Sequence, residues 1–302
     1  MPCYYPLTGY RAKHTNPSGK RSITFNKNDG YTDRPVTVGC GNCIGCRLEK
    51  SRQWAIRCLH EASLWPDNIF ITLTYDNEKL PQYGSLNPKH HQDFLKRLRS
   101  KIAPKKIRFY HCGEYGDNTA RPHYHTLIFN HDFADKELYT ERDGIRLYVS
   151  DTLNQIWGHG FCTIGDVTFE SAAYCARYVL KKVNGEKSEQ HYQSVDTTTG
   201  ELNPIIPEYT TMSRRPGIGA LWLEKYNTDV YPHDYVVVNG KKMKPPRFYD
   251  SILEQKDEAG FDRMKSRRLS AAHAARENST VDRLVTREIV AKARLNSKKR
   301  VI

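Results

Sequence analysis

The segment Pro122-His123-Tyr124-His125-Thr126-Leu127-Ile128-Phe129 constrains this chain more than any other. Its β-branched and aromatic residues suit an extended strand. Successive side chains of a strand point to opposite faces, so His123 and His125 share one face. Two adjacent imidazoles offer two ligands to one divalent cation. Upstream, residues 106–112 also read as a strand, and the polar turn 113–122 joins the two. That order predicts an antiparallel pair, in which Glu114 comes across from the histidines. A His-His-carboxylate set with open positions suits a cation that also holds phosphate oxygens. Alone, a His-x-His pair is more often an ordinary surface or core feature.

The remaining elements frame that pair. Leu48, Trp54, Ala55, Cys58, Leu59 and Ala62 give a helical spacing that predicts a helix over 47–65, stopped by Pro66 and Asp67. Residues 69–75, Ile-Phe-Ile-Thr-Leu-Thr-Tyr, read as a buried central strand. Asn87-Pro88 is a helix start, with Phe94, Leu95, Leu98 and Ile102 as the apolar stripe. A short helix over 150–157, a strand over 161–169 and a helix over 171–183 follow. Residues 184–218 are a polar excursion, and two helical segments occupy about 250–275 and 279–296. This order predicts an α+β fold, a central antiparallel sheet with helices packed on one face. It also suggests three segments. Residues 1–46 are irregular, 47–249 form the main domain with a polar insertion near 184–218, and 250–302 are a basic helical tail.

Charge narrows the partners. The 302 residues carry 47 Lys/Arg against 34 Asp/Glu, a net of +13, and residues 256–302 alone hold +7. Such an excess favours a polyanion, most often nucleic acid. Apolar runs are too short to span a bilayer, so no membrane is expected. The Gly-x-x-x-x-Gly-Lys-Ser/Thr phosphate loop of ATP-driven motors is missing.

A second candidate site lies in Tyr174-Cys175-Ala176-Arg177-Tyr178-Val179-Leu180-Lys181-Lys182. Tyr174 and Tyr178 are four apart on a helix and share a face, each with a cation three residues on. A tyrosine nucleophile needs its phenolate stabilised, because its ordinary pKa is about 10. Arg177, Lys181 or a metal can supply that charge. The plain alternative is a helix whose tyrosines pack on the sheet. Thr72 and Thr74 on the first main-domain strand, with Arg177 and Lys182, are candidate DNA contacts.

A third cluster is Cys40-x-x-Cys43-x-x-Cys46. Gly41 and Gly45 ease the turn between its three soft ligands. Structural zinc takes four ligands, and Cys3 is the candidate fourth. Reduced thiols or an iron–sulfur cluster are the alternatives.

Taken in order, three motifs resemble those of the HUH endonucleases, the rolling-circle replication initiators. They are Phe70–Tyr75, then Gly113-Glu114-Tyr115-Gly116 with Arg121-Pro122-His123-Tyr124-His125, then Tyr174-x-x-x-Tyr178-x-x-Lys181. The cysteine segment and Trp54-x-x-Arg57-x-x-x-Glu61 are similar to the gokushovirus branch of the microviruses, which are single-stranded DNA phages. The resemblance spans roughly residues 1–185. It implies an HUH fold and Mg²⁺ or Mn²⁺ held by His123, His125 and Glu114. It further implies attack by Tyr174 or Tyr178 on origin DNA, giving a 5′-phosphotyrosine and a free 3′-OH. Both tyrosines are candidates and the sequence does not say which cuts first; Lys181, with Lys182 beside it, favours Tyr178 only marginally. The implied partners are single-stranded and origin DNA and a host replication helicase and polymerase, in the cytoplasm of a bacterial host. Three rivals remain. One is a relaxase or transposase of the same superfamily, another a water-using metal nuclease, and the last a non-catalytic, zinc-stabilised nucleic-acid-binding protein.

Overall fold

The computed structural model describes residues 3–17, 19, 21–178, 183, 187–196 and 198–297. In chain order, strands β1 (Leu7–Ala12), β2 (Ile23–Thr24) and β3 (Gly30–Val38) lead into helix α1 (Ile44–Ala62). Strand β4 (Asn68–Leu73) and helix α2 (Pro88–Lys101) follow. Then come the hairpins β5 (Arg108–Tyr115) with β6 (Pro122–Phe129), and β7 (Glu137–Arg142) with β8 (Ile145–Val149). Helix α3 (Asp151–Trp157), strand β9 (Cys162–Gly165) and helix α4 (Phe169–Tyr178) come next. Beyond them are α5 (Lys187–His191), β10 (Gln193–Val195), β11 (Leu202–Pro204), β12 (Tyr209–Met212), α6 (Ala220–Lys225) and α7 (Asn227–Val230). A small hairpin, β13 (Val236–Val238) with β14 (Lys241–Met243), precedes helices α8 (Arg247–Lys256), α9 (Glu258–Ala274) and α10 (Val281–Asn296). The chain divides into two units: Met1–Lys50 together with Arg263–Ile302, and Ser51–Asp262.

The first unit holds an antiparallel sheet of order β2-β1-β3. Composition alone made residues 1–46 irregular; the structure pairs three strands there. Gly30 shows why the pattern was hard to see. A Cβ at that position would come 2.4 Å from the Tyr10 Cβ, so the close approach of β1 and β3 requires glycine.

The second unit is built on a seven-stranded sheet of order β12-β5-β6-β4-β9-β8-β7, antiparallel at every pairing. The α+β expectation therefore holds. The helices, however, pack on both faces. On one face Phe94, Leu95, Leu98 of α2 and Leu153, Ile156, Trp157 of α3 bury against Ile69, Ile71, Leu73 and Ile128. On the other, Ala55 and Cys58 of α1 and Ala172, Ala173, Cys175, Ala176 of α4 bury against Phe70, Tyr110, Cys112, Leu127 and Phe129. The cause is visible in β4, whose continuous apolar run presents hydrophobic side chains both ways, as a strand covered on both faces must.

Local signals set the helix starts. The Asn87 side chain accepts from the Lys89 amide, with Pro88 at the first helical position. Ser150 caps α3 by accepting from the Leu153 amide. Helix α4 begins at Phe169 because Thr168 and Ser171 cap reciprocally. The Ser171 amide donates to Thr168 Oγ1 at 3.1 Å, and the Thr168 amide donates to Ser171 Oγ at 2.8 Å.

The α2 face also buries a histidine pair. His91 Nε2 and His111 Nδ1 lie 2.9 and 3.1 Å from Thr126 Oγ1, and the two rings stack with centroids 3.3 Å apart. One hydroxyl proton serves two imidazoles, so Thr126 donates to one and accepts from the other. Burial pushes His91 down to about 3 and His111 well below the usual histidine range. His60, stacked on Trp222, is likewise pushed by burial to about 3. The unfolded chain takes up protons below about pH 6.5 that the folded chain refuses. Stability is thus full above pH 6.5 and falls as pH drops, by about 2 kcal/mol per histidine at pH 5. Thermal melts should show Tm falling steeply between pH 6.5 and 5; a flat profile contradicts this account.

Candidate functional site

The register of β5 and β6 carries the site. Glu114 pairs with His123, and Cys112 pairs with His125. On the other side of β6, Thr72 of β4 pairs with His125. Side chains of paired residues project to the same face, so Glu114, His123, His125 and Thr72 converge. Glu114 Oε1 lies 2.7 Å from His123 Nε2 and 2.9 Å from His125 Nε2. Glu114 is 1% exposed and His125 3%, while His123 opens partly to solvent.

The proton positions follow from the neighbours. His123 Nδ1 is 3.0 Å from the Arg121 carbonyl oxygen, which can only accept, so Nδ1 carries the hydrogen. In the neutral ring Nε2 then presents a lone pair to a carboxylate oxygen, a contact that a proton or a metal cation between them makes favourable. His125 Nδ1 is 3.0 Å from Thr72 Oγ1; when that hydroxyl accepts from Nδ1, Nε2 is left with a lone pair for the same role. Glu114 Oε2 is buried without a hydrogen-bond partner. An orphaned carboxylate oxygen beside two converging imidazole nitrogens is the donor set of a cation site, and the three residues fit one. Thr72→Val keeps the shape and removes the hydroxyl that orients His125. It should weaken metal affinity about 10–100-fold, measured by calorimetric Mn²⁺ titration. Unchanged affinity contradicts the orienting role.

Helix α4 brings a tyrosine to this set. Small residues at Ala172, Ala173 and Ala176 let the helix sit close on the sheet. Cys175 Sγ lies 3.4 Å from Cys112 Sγ and donates weakly to the His125 carbonyl at 3.7 Å. The Tyr174 ring meets His125 edge-on, with centroids 5.0 Å apart. The Arg177 guanidinium carbon is 5.9 Å from the Tyr174 ring centre. Tyr178 ends the helix, and its side chain lies outside the described residues, as do Lys181 and Lys182.

The two threonines flagged as DNA contacts have hydroxyls engaged within the protein. Thr72 meets His125, and Thr74 Oγ1 donates to the Phe161 carbonyl at 2.7 Å. Sequence reasoning missed the orienting role of Thr72. It also missed Phe70, whose ring stacks on His125 with centroids 5.3 Å apart. Period-2 alternation puts Phe70 and Thr72 on one face of their strand; the register that pairs Thr72 with His125 makes it the histidines' face.

The second cluster also assembles. Cys3, Cys40, Cys43 and Cys46 bring their sulfurs within 4.8 Å of one another.

Comparison with known proteins places these features in a family. Residues 68–183 match the family described as replication-associated protein ORF2/G2P. Over 221 residues, 70% of this chain, the sequence is 38% identical to replication-associated protein VP4 of Bdellovibrio phage phiMH2K, spanning 65% of that protein. Over 296 residues, 90% of this chain and 87% of the relative, it is 32% identical to replication-associated protein ORF2 of Spiroplasma virus 4. Replication-associated protein ORF4 of Chlamydia phage 1 is 33% identical over 234 residues, 74% of this chain and 55% of that protein. No solved structure matches the chain. Among the described residues, no helix is long and apolar enough to cross a membrane.

Proposed function

Since the chain belongs to the replication-associated protein family of the gokushovirus-type microviruses, we propose that it initiates replication by cutting and rejoining single-stranded DNA at the origin. One observation supports this most. A buried carboxylate and two oriented imidazoles converge, and a tyrosine ring lies against one of those imidazoles.

Glu114, His123 and His125 would hold Mg²⁺ or Mn²⁺, which supplies Lewis-acid polarisation of a scissile phosphate. The tyrosine side chain of α4 provides the nucleophile. Its Oη forms a bond to phosphorus as the phenol proton is lost. The bond from phosphorus to the 3′ oxygen breaks, and that oxygen gains a proton. The products are a 5′-phosphotyrosine and a free 3′-OH. A host polymerase extends the 3′-OH, with a host helicase opening the duplex. The phosphodiester energy is kept in the protein–DNA bond, so the reverse attack by a 3′-OH reseals the strand without ATP. A second tyrosine allows one residue to hold the old 5′ end while the other cuts the new origin. Tyr174 has the support of its ring contact with His125; Tyr178 and Lys181 have the support of the sequence pattern. The basic 256–302 region adds sequence-independent attraction to phosphates, which weakens with salt.

The test uses full-length protein and circular single-stranded DNA of the parent genome, with Mn²⁺ or with chelator. Metal-dependent linear product is expected, with a 3′ end that a polymerase extends and a 5′ end protected from exonuclease. A free 5′-phosphate would point to a water-using nuclease. Folded protein that binds but never cuts would favour the non-catalytic reading.

A further inference from the structure

The nicking chemistry leaves the four-cysteine cluster unused. Leu7 pairs with Val38 at one end of the antiparallel β1–β3 ladder; Cys3 lies just before Leu7 and Cys40 just after Val38, so both belong to that same end. Cys43 and Cys46 flank Ile44, the first residue of α1. One short path therefore gathers thiols from the chain start, the strand end and the helix start.

The geometry is that of a single-ion cage. Cys43 Sγ and Cys3 Sγ are 3.9 Å apart, and the sulfurs are within 4.8 Å of one another. A tetrahedron with zinc–sulfur bonds of about 2.3 Å has sulfur–sulfur edges of about 3.8 Å. A multi-iron cluster would hold its thiolates farther apart. Backbone amides point at the sulfurs. The Cys40 amide donates to Cys3 Sγ at 3.2 Å, the Cys43 amide to Cys40 Sγ at 3.3 Å, and the Tyr4 amide to Cys43 Sγ at 3.4 Å. Such donors stabilise thiolate charge and orient the ligands. Gly39 leaves room, since a Cβ there would come 3.2 Å from Cys46 Sγ. None of the four is in a disulfide, and Cys40 and Cys46 are partly exposed, which gives an ion a way in.

We propose that Cys3, Cys40, Cys43 and Cys46 bind one structural zinc ion that closes the open end of the β1–β3 pair and fixes the start of α1. Four soft thiolates select zinc, whereas the hard Glu-His-His set suits Mg²⁺ or Mn²⁺, so one chain carries two metal sites of different character. The ion also organises the rest of its unit. Two residues after Cys3, Tyr5 Oη donates to Glu288 Oε2 on α10 at 2.5 Å, beside buried Leu284. Folding of this unit is therefore coupled to metal.

The test is elemental analysis of full-length protein after exhaustive dialysis against a mild chelator. One zinc per chain is expected. Replacement by Co²⁺ should give the intense near-ultraviolet sulfur-to-cobalt absorption of thiolate ligation. Cys40→Ser and Cys46→Ser should each lower retained zinc at least about tenfold. Those variants could simply misfold, so a second measurement uses the wild-type protein. Titration with an organomercurial should release the zinc, read with a chromogenic indicator, and Cys162→Ala should release the same amount. Folded wild-type protein with neither zinc nor a cobalt–thiolate band overturns the proposal. So does stoichiometric iron in place of zinc.

Discussion

Glu114→Gln should abolish metal-dependent cleavage while leaving the fold intact. Glu114 Oε1 touches both imidazoles, and Oε2 is buried without a partner. Glutamine keeps the shape and removes the charge that would hold the cation. Lewis-acid stabilisation of a phosphoryl transfer is worth several kcal/mol, and about 4 kcal/mol corresponds to roughly 10³-fold in rate. Cleavage of origin DNA should therefore fall by about that factor, and Mn²⁺ titration should show no binding at this site. Near-ultraviolet circular dichroism should be unchanged. Full activity in Glu114→Gln would remove the carboxylate from the reaction.

Glu61→Ala should do the reverse, lowering the melting temperature of the second unit while leaving the Glu114, His123 and His125 side chains in place in the folded protein. Glu61 is fully buried and contacts Arg108 Nε at 2.6 Å. Its other oxygen accepts from the Gly219 amide at 2.8 Å. Gly219 has φ +76°, and a Cβ there would collide with the Tyr249 hydroxyl, so this tight turn depends on the carboxylate that anchors it. Removing one partner of a buried ion pair leaves the other uncompensated, at a cost of about 3–5 kcal/mol. For a unit of this size Tm should drop by roughly 10 °C. Arg57 works beside it. Its guanidinium is sandwiched 3.9 Å from both the Trp54 and Phe248 rings, and Nε donates to the Ile218 carbonyl at 2.9 Å. The Trp54–Arg57–Glu61 pattern is thus a clamp on the 216–219 segment. A Glu61→Ala melt within a degree or two of wild type would contradict this.

That Glu114, His123 and His125 come together was legible because strand geometry has a fixed period. His-x-His on a strand, a nine-residue return to Glu114 and a polar turn between them leave few registers, and the structure adopts one that joins all three. The Asn87-Pro88 helix start was legible for a similar reason, since cap chemistry is local. Other features depended on long-range partners. Residues 7–12 and 30–38 carry glycine, proline and charge rather than an alternating apolar pattern, so nothing local marks them as strands. The β7–β8 hairpin is largely exposed at the sheet edge and lacks the buried run that betrays β4. Helices on both faces could have been inferred from Phe70 among Ile69, Ile71 and Leu73, because such a strand has no polar face to give to water. The role of Thr72 required knowing which residue of β6 stands opposite.

The most direct test of the central claim is to locate the protein–DNA bond. Full-length protein would react with labelled origin DNA in Mn²⁺. The adduct would be denatured, digested with nuclease and protease, and mapped by mass spectrometry. The expected product is a nucleotide bound through a 5′-phosphotyrosine on the α4 peptide, at Tyr174 or Tyr178. The adduct should vanish with chelator and in the Tyr174→Phe/Tyr178→Phe double variant. Cleavage without any adduct, or an adduct that persists in the double variant, would contradict it.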